Sequence, residues 1–477
     1  MKKIQCFSIF ILSLFEFIAS SQEQMGMTQS NYLSSSSIFL NPSSSADAHV
    51  YMQLNLVSAG AFAFTNGAYI PSFSVWRMKR AQGEVQYPKA SSIKVSKFVY
   101  ANAFADGPVF VISKRLYGAG LFVRARSILD VRGIPYPLAN MLLQQNPYAN
   151  PPSTYDINKR NIKGANLSWL EYGGNFSYII RKKQKDLISI GGNIKYITGI
   201  NVFYFNIAHM KGFYNDTVVN IDEVNAKLRM NTPAFNSGKG IGFDVGITYK
   251  KMLKNIETYY PNSQQSNCGV IAYKYKLALS VRDAGYIRFK SNTTNADFST
   301  SGYYRIDTTH NITQAAITNS LNGTLYSSPI MASLPANICA QGDWNFENGF
   351  YASALIVKNI LPNQLTGVAG TNIWAVCGRF ESKNFELALP LTFQKFIYPQ
   401  LGMAVRYRSF VLGFDNVFPL LFMKNTYGLG VYTKLAISLF KNPACRKRSR
   451  IADCPPSILE KDHNFVKKVK RIFKKKR

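Results

Sequence analysis

Phe385, Leu387, Leu389, Leu391 and Phe393 alternate with Glu386, Ala388, Pro390 and Thr392. Successive side chains of a strand point to opposite faces, so this segment has one apolar face and one that carries a carboxylate and small or polar groups. The pattern recurs along the chain. Leu121, Val123 and Ala125 oppose Phe122, Arg124 and Arg126, and Leu170, Tyr172, Phe176, Tyr178 and Ile180 oppose Glu171, Asn175 and Ser177. Ile241, Phe243, Val245, Ile247 and Tyr249 oppose Asp244, Thr248 and Lys250. Tyr275, Leu277, Leu279 and Val281 oppose Lys274, Lys276, Ser280 and Arg282. No apolar run is long enough to cross a bilayer as a helix. The expectation is an all-β chain forming a transmembrane antiparallel β-barrel of about 14–16 strands, with lipid on the apolar face and a polar lumen on the other.

Connection lengths orient that barrel. Short links at 182–186, 283–285, 346–348 and 382–384 alternate with long ones near 204–216, 253–268, 299–333 and 361–371. Barrels of this class have short periplasmic turns and long external loops, so the long set is expected outside and the C-terminus in the periplasm. A Pro- and Asn-rich stretch at 133–163 reads as a further loop. Residues 67–95 are poorly periodic and fit either a loop or an inward plug.

Lys2 and Lys3 precede a mostly apolar run from Ile4 to Ile18, and Ala19-Ser20-Ser21 supplies small residues for cleavage. Residues 1–21 therefore read as a signal peptide and the destination as the cell outer membrane. Residues 22–48 follow as a periplasmic lead-in or plug, 49–440 as the barrel and 441–477 as a short basic periplasmic tail. Tyr and Phe number 28 and 33, an excess that suits aromatic girdles at two membrane interfaces.

The net charge of +31 raises the question of nucleic acid. Its distribution answers it: the tail alone carries fourteen Lys and Arg against three Asp and Glu. For an exported chain the fitting partners are outer-membrane lipid and lipopolysaccharide, with no nucleic acid. Phe465, Val466, Val469, Ile472 and Phe473 fall among the tail lysines at helical spacing, which suits an anionic surface or a periplasmic protein. Cys445 and Cys454 are a candidate disulfide in the tail, although the five cysteines beyond the leader leave at least one thiol unpaired.

The face turned from lipid carries Arg124, Arg126, Glu171, Lys195, Asp244, Lys250, Lys274, Lys276, Arg282, Arg379, Glu381, Glu386, Arg406 and Arg408 as candidate lumen-lining residues. Two readings compete: an anion-attracting pathway focused by low-dielectric walls, and an internal ion-pair network that braces the barrel. Carboxylates recurring among the cations favour the network. Gly238, Gly240 and Gly242 precede a strand rather than a helix. They are therefore expected to form a tight turn and ease lumen crowding, in place of a phosphate loop. His209 and His310, with Asp216 and Asp307 near them in sequence, are the only grouping resembling an enzymatic rim. Loop histidines are ordinarily solvated, so no catalytic residues, metal or cofactor are expected.

Several stretches carry a resemblance to a known family. They are Met25-Gly26-Met27, Ser30-Asn31-Tyr32, Phe39-Leu40-Asn41-Pro42, Gly192-Asn193-Ile194-Lys195-Tyr196 and the runs 238–246 and 277–285. Gly378-Arg379-Phe380-Glu381, Leu389-Pro390-Leu391 and the run 401–407 complete the set. Together they resemble an outer-membrane barrel family of Bacteroidota labelled as a domain of unknown function, related to FadL-like and PorV-type barrels. Relatives tend to place Pro before the Arg-aromatic-Glu triplet, where this chain has Cys377-Gly378. The resemblance implies fold and location and assigns no site residues. By analogy with FadL-like barrels it implies a passage for a small or hydrophobic solute. By analogy with PorV-type barrels it implies instead a structural or secretion-accessory platform acting through loops and tail.

Overall fold

Met52, at the start of the first long strand, pairs with Leu439 at the end of the last, and the antiparallel ladder between them runs on to Phe64 and Gly428. That seam closes the sheet on itself. The computed structural model describes residues 24–71, 89–91, 95–136, 154–215, 218–266, 269–307, 324–362, 365–417 and 425–445.

The strands are β1 (Met52–Thr65), β2 (Ala68–Tyr69), β3 (Lys89–Ala90), β4 (Lys97–Lys114), β5 (Tyr117–Ile134), β6 (Thr154–Lys183) and β7 (Asp186–Asn215). They continue as β8 (Val218–Asn231), β9 (Gly238–Met252), β10 (Tyr273–Phe289), β11 (Thr293–Asp307), β12 (Thr324–Tyr326), β13 (Ile330–Ser333) and β14 (Asn337–Asn345). The last are β15 (Phe350–Asn359), β16 (Ile373–Glu381), β17 (Phe385–Gln394), β18 (Tyr398–Leu401), β19 (Met403–Tyr407), β20 (Phe410–Phe414) and β21 (Gly428–Leu439). β2 and β3 pair only with each other. β13 and β14 run as one strand against β10, and β18 and β19 as one against β17. Among the described residues the chain is a closed antiparallel barrel of fourteen strands.

One rim collects the short turns at 115–116, 184–185, 346–349, 382–384 and 408–409, together with the end of β21. The connection 253–272 lies at this same rim, a correction to its expected place on the loop side. Its Ile256 and Tyr259 pack with Ala46, Ile179, Leu187 and Met252, and Asn262 Nδ2 donates to the Ala48 carbonyl at 3.1 Å. Length alone does not tell which rim a connection serves. The expected turn at 283–285 is absent as well: β10 runs through it, with a register shift between Val281 and Ala284. The stretch 204–216 is strand up to Asn215, because β7 outruns β9. Beyond Gly199 its partner changes from β9 to β8, and β8 pairs in turn with β11. A blade of sheet thus rises above the loop-side rim from β6, β7, β8, β11 and β12.

The outward face is apolar, with Leu121 and Ile194 each 67% exposed and Leu389 48%. Near the turn-side rim outward aromatics pair up, Tyr275 with Trp344 at 5.6 Å and Phe350 with Phe380 at 5.1 Å. Inside lies the segment from Gln24 to Val50, which holds the short helix α1 (Ser34–Leu40) and a 3-10 turn at Pro42–Ser45. Asn41 caps that turn, its side chain accepting from the Ser43 amide at 3.0 Å. No helix of the described residues is long and apolar enough to cross a membrane, which says nothing about strands.

Candidate functional site

The strand period of two fixes what enters the barrel. Its inward residues form two layers. The layer next to the loop-side rim is apolar: Phe62, Phe64, Phe98, Tyr100, Ile128, Leu167, Trp169, Ile197, Val202, Ile287 and Phe289 pack into one buried cluster. These come from β1, β4, β5, β6, β7 and β10, so the cluster covers much of the circumference. Gly238 and Gly242 face it from β9, the first against Ile287 and Phe289 and the second against Ile197 and Leu334. They lie inside the strand, so the tight turn expected at Gly238–Gly242 does not form. Beside this layer opens a shallow cleft lined by Asp130, Arg132, Lys163, Tyr204, Leu361, Pro362 and Leu365.

The layer toward the turns is charged, and its charges are paired. Arg126 Nη1 reaches Glu171 at 3.1 Å and Asp283 at 2.8 Å, while Lys195 Nζ lies 2.7 Å from both Asp244 and Asp283. Arg379 bridges Asp343 at 2.8 Å and Glu381 at 2.7 Å, and Lys276 approaches Asp343 at 3.3 Å. Arg406 meets Glu386 at 3.0 Å, directly across β17 and β19. Arg124 pairs with Asp106 at 2.9 Å. Arg282 donates to Asn337 at 2.9 Å and to the Phe39 carbonyl at 3.1 Å. Trp169 joins the layers: its Nε1 donates to Glu171 at 2.7 Å, and the Arg126 guanidinium lies 4.9 Å from its ring. Buried charges persist when they are paired, and each of these cations has an acid or an acceptor within 3.3 Å.

The N-terminal segment is tied into this charged layer. Ser30 Oγ donates to Glu386 at 2.7 Å, and Asn31 Nδ2 to Glu381 at 2.8 Å. Lys250 Nζ pairs with Asp47 at 2.8 Å, and Lys434 Nζ donates to Ser36 Oγ at 2.7 Å. Pro42–Ser45 rests on a strip where β7 and β9 carry Gly191 and Gly246 opposite one another. A Cβ on Gly191 would collide with Pro42 and Ser43, and one on Gly246 with Asn41. His49 sits edge-on to Tyr32 at 5.6 Å, and burial, with Lys250 and Lys276 nearby, pushes its imidazole down to about 3. A narrow polar space remains between segment and wall, bordered by Thr28, Gln29, Ser37, Lys250, Lys276 and Gln341.

Twelve of the fourteen candidate lumen residues meet inside the barrel, and two do not. Lys274 is exposed, 5.9 Å from the outward Trp344 ring, because a register shift between Tyr273 and Tyr275 turns Tyr273 inward instead. Arg408 is exposed in the β19–β20 turn at φ 52°. Sequence reasoning missed Asp283, Asp343, Asp106 and Lys434. Asp343, Asp106 and Lys434 alternate correctly within strands that carry weaker apolar faces. Asp283 breaks alternation at a bulge, for which only Asp-Ala-Gly gave a sign. The added acids remove the one-signed lining that an anion-attracting pathway requires.

His209 lies on the blade, 3.5 Å from Glu223. His310 and Asp216 fall outside the described residues, and no side-chain placement is described for Asp307. No group of three or more His, Cys, Asp or Glu able to hold a metal occurs among the described residues. Cys339 and Cys377 are buried thiols and Cys445 is disulfide-bonded. Cys454, the signal peptide, most of 67–95 and the tail beyond Cys445 also lie outside the described residues.

A family described as "Family of unknown function (DUF5723)" matches residues 100–415. No curated protein matches the sequence. Among solved structures, the toluene transporter TbuX of Ralstonia pickettii is similar at a TM-score of 0.39 and 8% identity, over 85% of this chain and 92% of that one. A FadL homologue from Pseudomonas aeruginosa gives 0.38 and 11%, over 89% and 99%. The toluene transporter TodX of P. putida gives 0.38 and 10%, over 85% and 94%. Likenesses this distant carry no functional argument.

Proposed function

The chain belongs to the DUF5723 family, and on that premise we propose that it is an outer-membrane barrel that passes a small hydrophobic solute. The apolar inward layer is the observation that carries this reading. In a barrel whose outer face meets lipid, a water-filled channel has a polar interior. Phe62, Phe64, Phe98, Leu167, Ile287 and Phe289 instead line the loop-side half from within. Such a lining favours apolar surface by roughly 25 cal/mol per Å² removed from water and disfavours ions. The cleft beside Tyr204 and Leu361 is the entrance, and the paired charges beneath bound the apolar layer on its turn side. The leader at 1–21 directs export, and the short turns face the periplasm.

Purified protein in planar bilayers should show little steady ion conductance. Toluene or decane titrated into proteoliposomes should change the fluorescence of Trp169 saturably, and Trp169→Phe should remove that change. Porin-sized conductance without saturable apolar binding would overturn the reading.

A second reading is a structural or secretion-accessory platform, favoured by the many polar bonds that hold residues 24–50 inside the lumen. Absence of both conductance and apolar binding, with a periplasmic protein retained through residues 441–477, would select it.

A further inference from the structure

Lys239 on β9 and Arg288 on β10 are register partners, both exposed and both outward. Like charges directly opposite across an antiparallel pair repel one another. Every buried cation described above has an acceptor or an acid, yet among the described residues neither Lys239 nor Arg288 has an acidic partner. A third exposed cation adjoins them: Lys290 follows Phe289, and its amide donates to the Ser237 carbonyl at 3.4 Å. On the other flank Thr198 of β7 stands opposite Lys239 and adds a hydroxyl.

Height along the barrel says what meets this cluster. Tyr249 marks the aromatic edge near the turns on β9, and Val245, Phe243 and Ile241 are exposed between it and Lys239. Ten strand positions at about 3.4 Å each, tilted by about 40°, span about 26 Å, the height of the apolar band of such barrels. Lys239 and Arg288 therefore sit at the headgroup level of the far leaflet. Beside them the loop joining β8 to β9 carries Phe235, a large apolar side chain 80% exposed. Two unneutralised cations, a hydroxyl and an unburied aromatic ring together suit a lipid with an anionic head and acyl tails.

We propose that Lys239, Arg288 and Lys290, with Phe235 alongside, form an outward binding site for a phosphorylated glycolipid of the outer leaflet. Paired cations give a phosphate several charge-assisted hydrogen bonds, and the phosphate relieves their mutual repulsion. The site rests on the membrane placement proposed above and is independent of any solute in the lumen.

The test uses full-length protein in nanodiscs that contain either phosphorylated lipid A or its dephosphorylated form. After detergent extraction, native mass spectrometry counts the glycolipid retained. Wild type should keep the phosphorylated form at least tenfold better than the dephosphorylated one. The double variant Lys239→Gln, Arg288→Gln should lose that preference, while Lys358→Gln, an exposed cation on β15, should keep it. Heat-modifiable migration shows that each variant is folded, and vesicle flotation of wild type tests membrane insertion separately. Equal retention of the two lipids by wild type, or an unchanged preference in the double variant, would overturn the site.

Discussion

Lys195 Nζ and Asp283 Oδ1 lie 2.7 Å apart, although Asp283 follows the inward Arg282 and an unbroken strand would turn it outward. The register shift between Val281 and Ala284, with Asp283 at φ 54°, puts two successive side chains on the inside. Asp283 is thereby shared with Arg126 at 2.8 Å, and its amide donates to Asp244 Oδ1 at 2.7 Å. A bulge serves as the keystone of the charged layer.

Removing that keystone should therefore be costly. Asp283→Ala leaves Arg126 and Lys195 one carboxylate short in a buried setting, where breaking a pair costs on the order of 3 kcal/mol. Urea unfolding in lipid vesicles should show the loss. A cost near zero would mean that water reaches this layer freely.

The two faces of β17 give a second expectation. Leu389 is on the outward face, and Leu389→Arg near mid-bilayer should destabilise by about 2–4 kcal/mol and lower the heat-modifiable fraction on gels. Full tolerance would place Leu389 away from lipid.

Gly191 and Gly246 make room for Pro42–Ser45, so Gly191→Val should expel the segment while β7 itself tolerates the β-branched side chain. Cleavage between residues 24 and 50 by an added protease should become fast, and ion conductance should rise. Unchanged protection would show that the wall yields instead.

Acid should loosen the same segment. The His49 imidazole is held at about 3 in place, against an ordinary value of 6.5 once released. Between those values release takes up a proton, so seating is unaffected above about pH 6.5 and weakens as pH falls toward 3. Hydrogen exchange of residues 24–50 should quicken over that window in wild type. His49→Gln should remove this part of the pH dependence and leave only the contribution of the carboxylates.

The barrel was legible because lipid demands an unbroken apolar stripe, and the run from Phe385 to Phe393 displays one without interruption. The inward positions of Arg379, Glu381, Glu386 and Arg406 followed from the same parity. What escaped was every place where parity breaks. Asp-Ala-Gly at 283–285 has the composition of a turn but forms a bulge inside β10. Lys274 fell to the wrong side through a one-residue shift. The stretch 253–272 was placed by its length, whereas Ile256 and Tyr259 hold it under the opposite rim. The blade of β8 and β11 gave no signal, since a sheet standing above the rim need not show the apolar face that lipid imposes.

Residues 24–50 touch the barrel on both sides of its seam. Ser35 donates to Gln53 of β1 at 2.7 Å, Gln53 Nε2 donates to Ser438 of β21 at 2.7 Å, and Lys434 of β21 donates to Ser36. The first and last strands come together only after the whole intervening chain has been threaded, the largest loop closure between any two paired strands. Stitches from one segment to both edges reward that closure only when the edges meet in the correct register. A slip of β21 by one residue would turn Lys434 outward and deprive Ser36 of its donor. The segment therefore acts on assembly as a proofreader, adding stability selectively to the correctly closed ring.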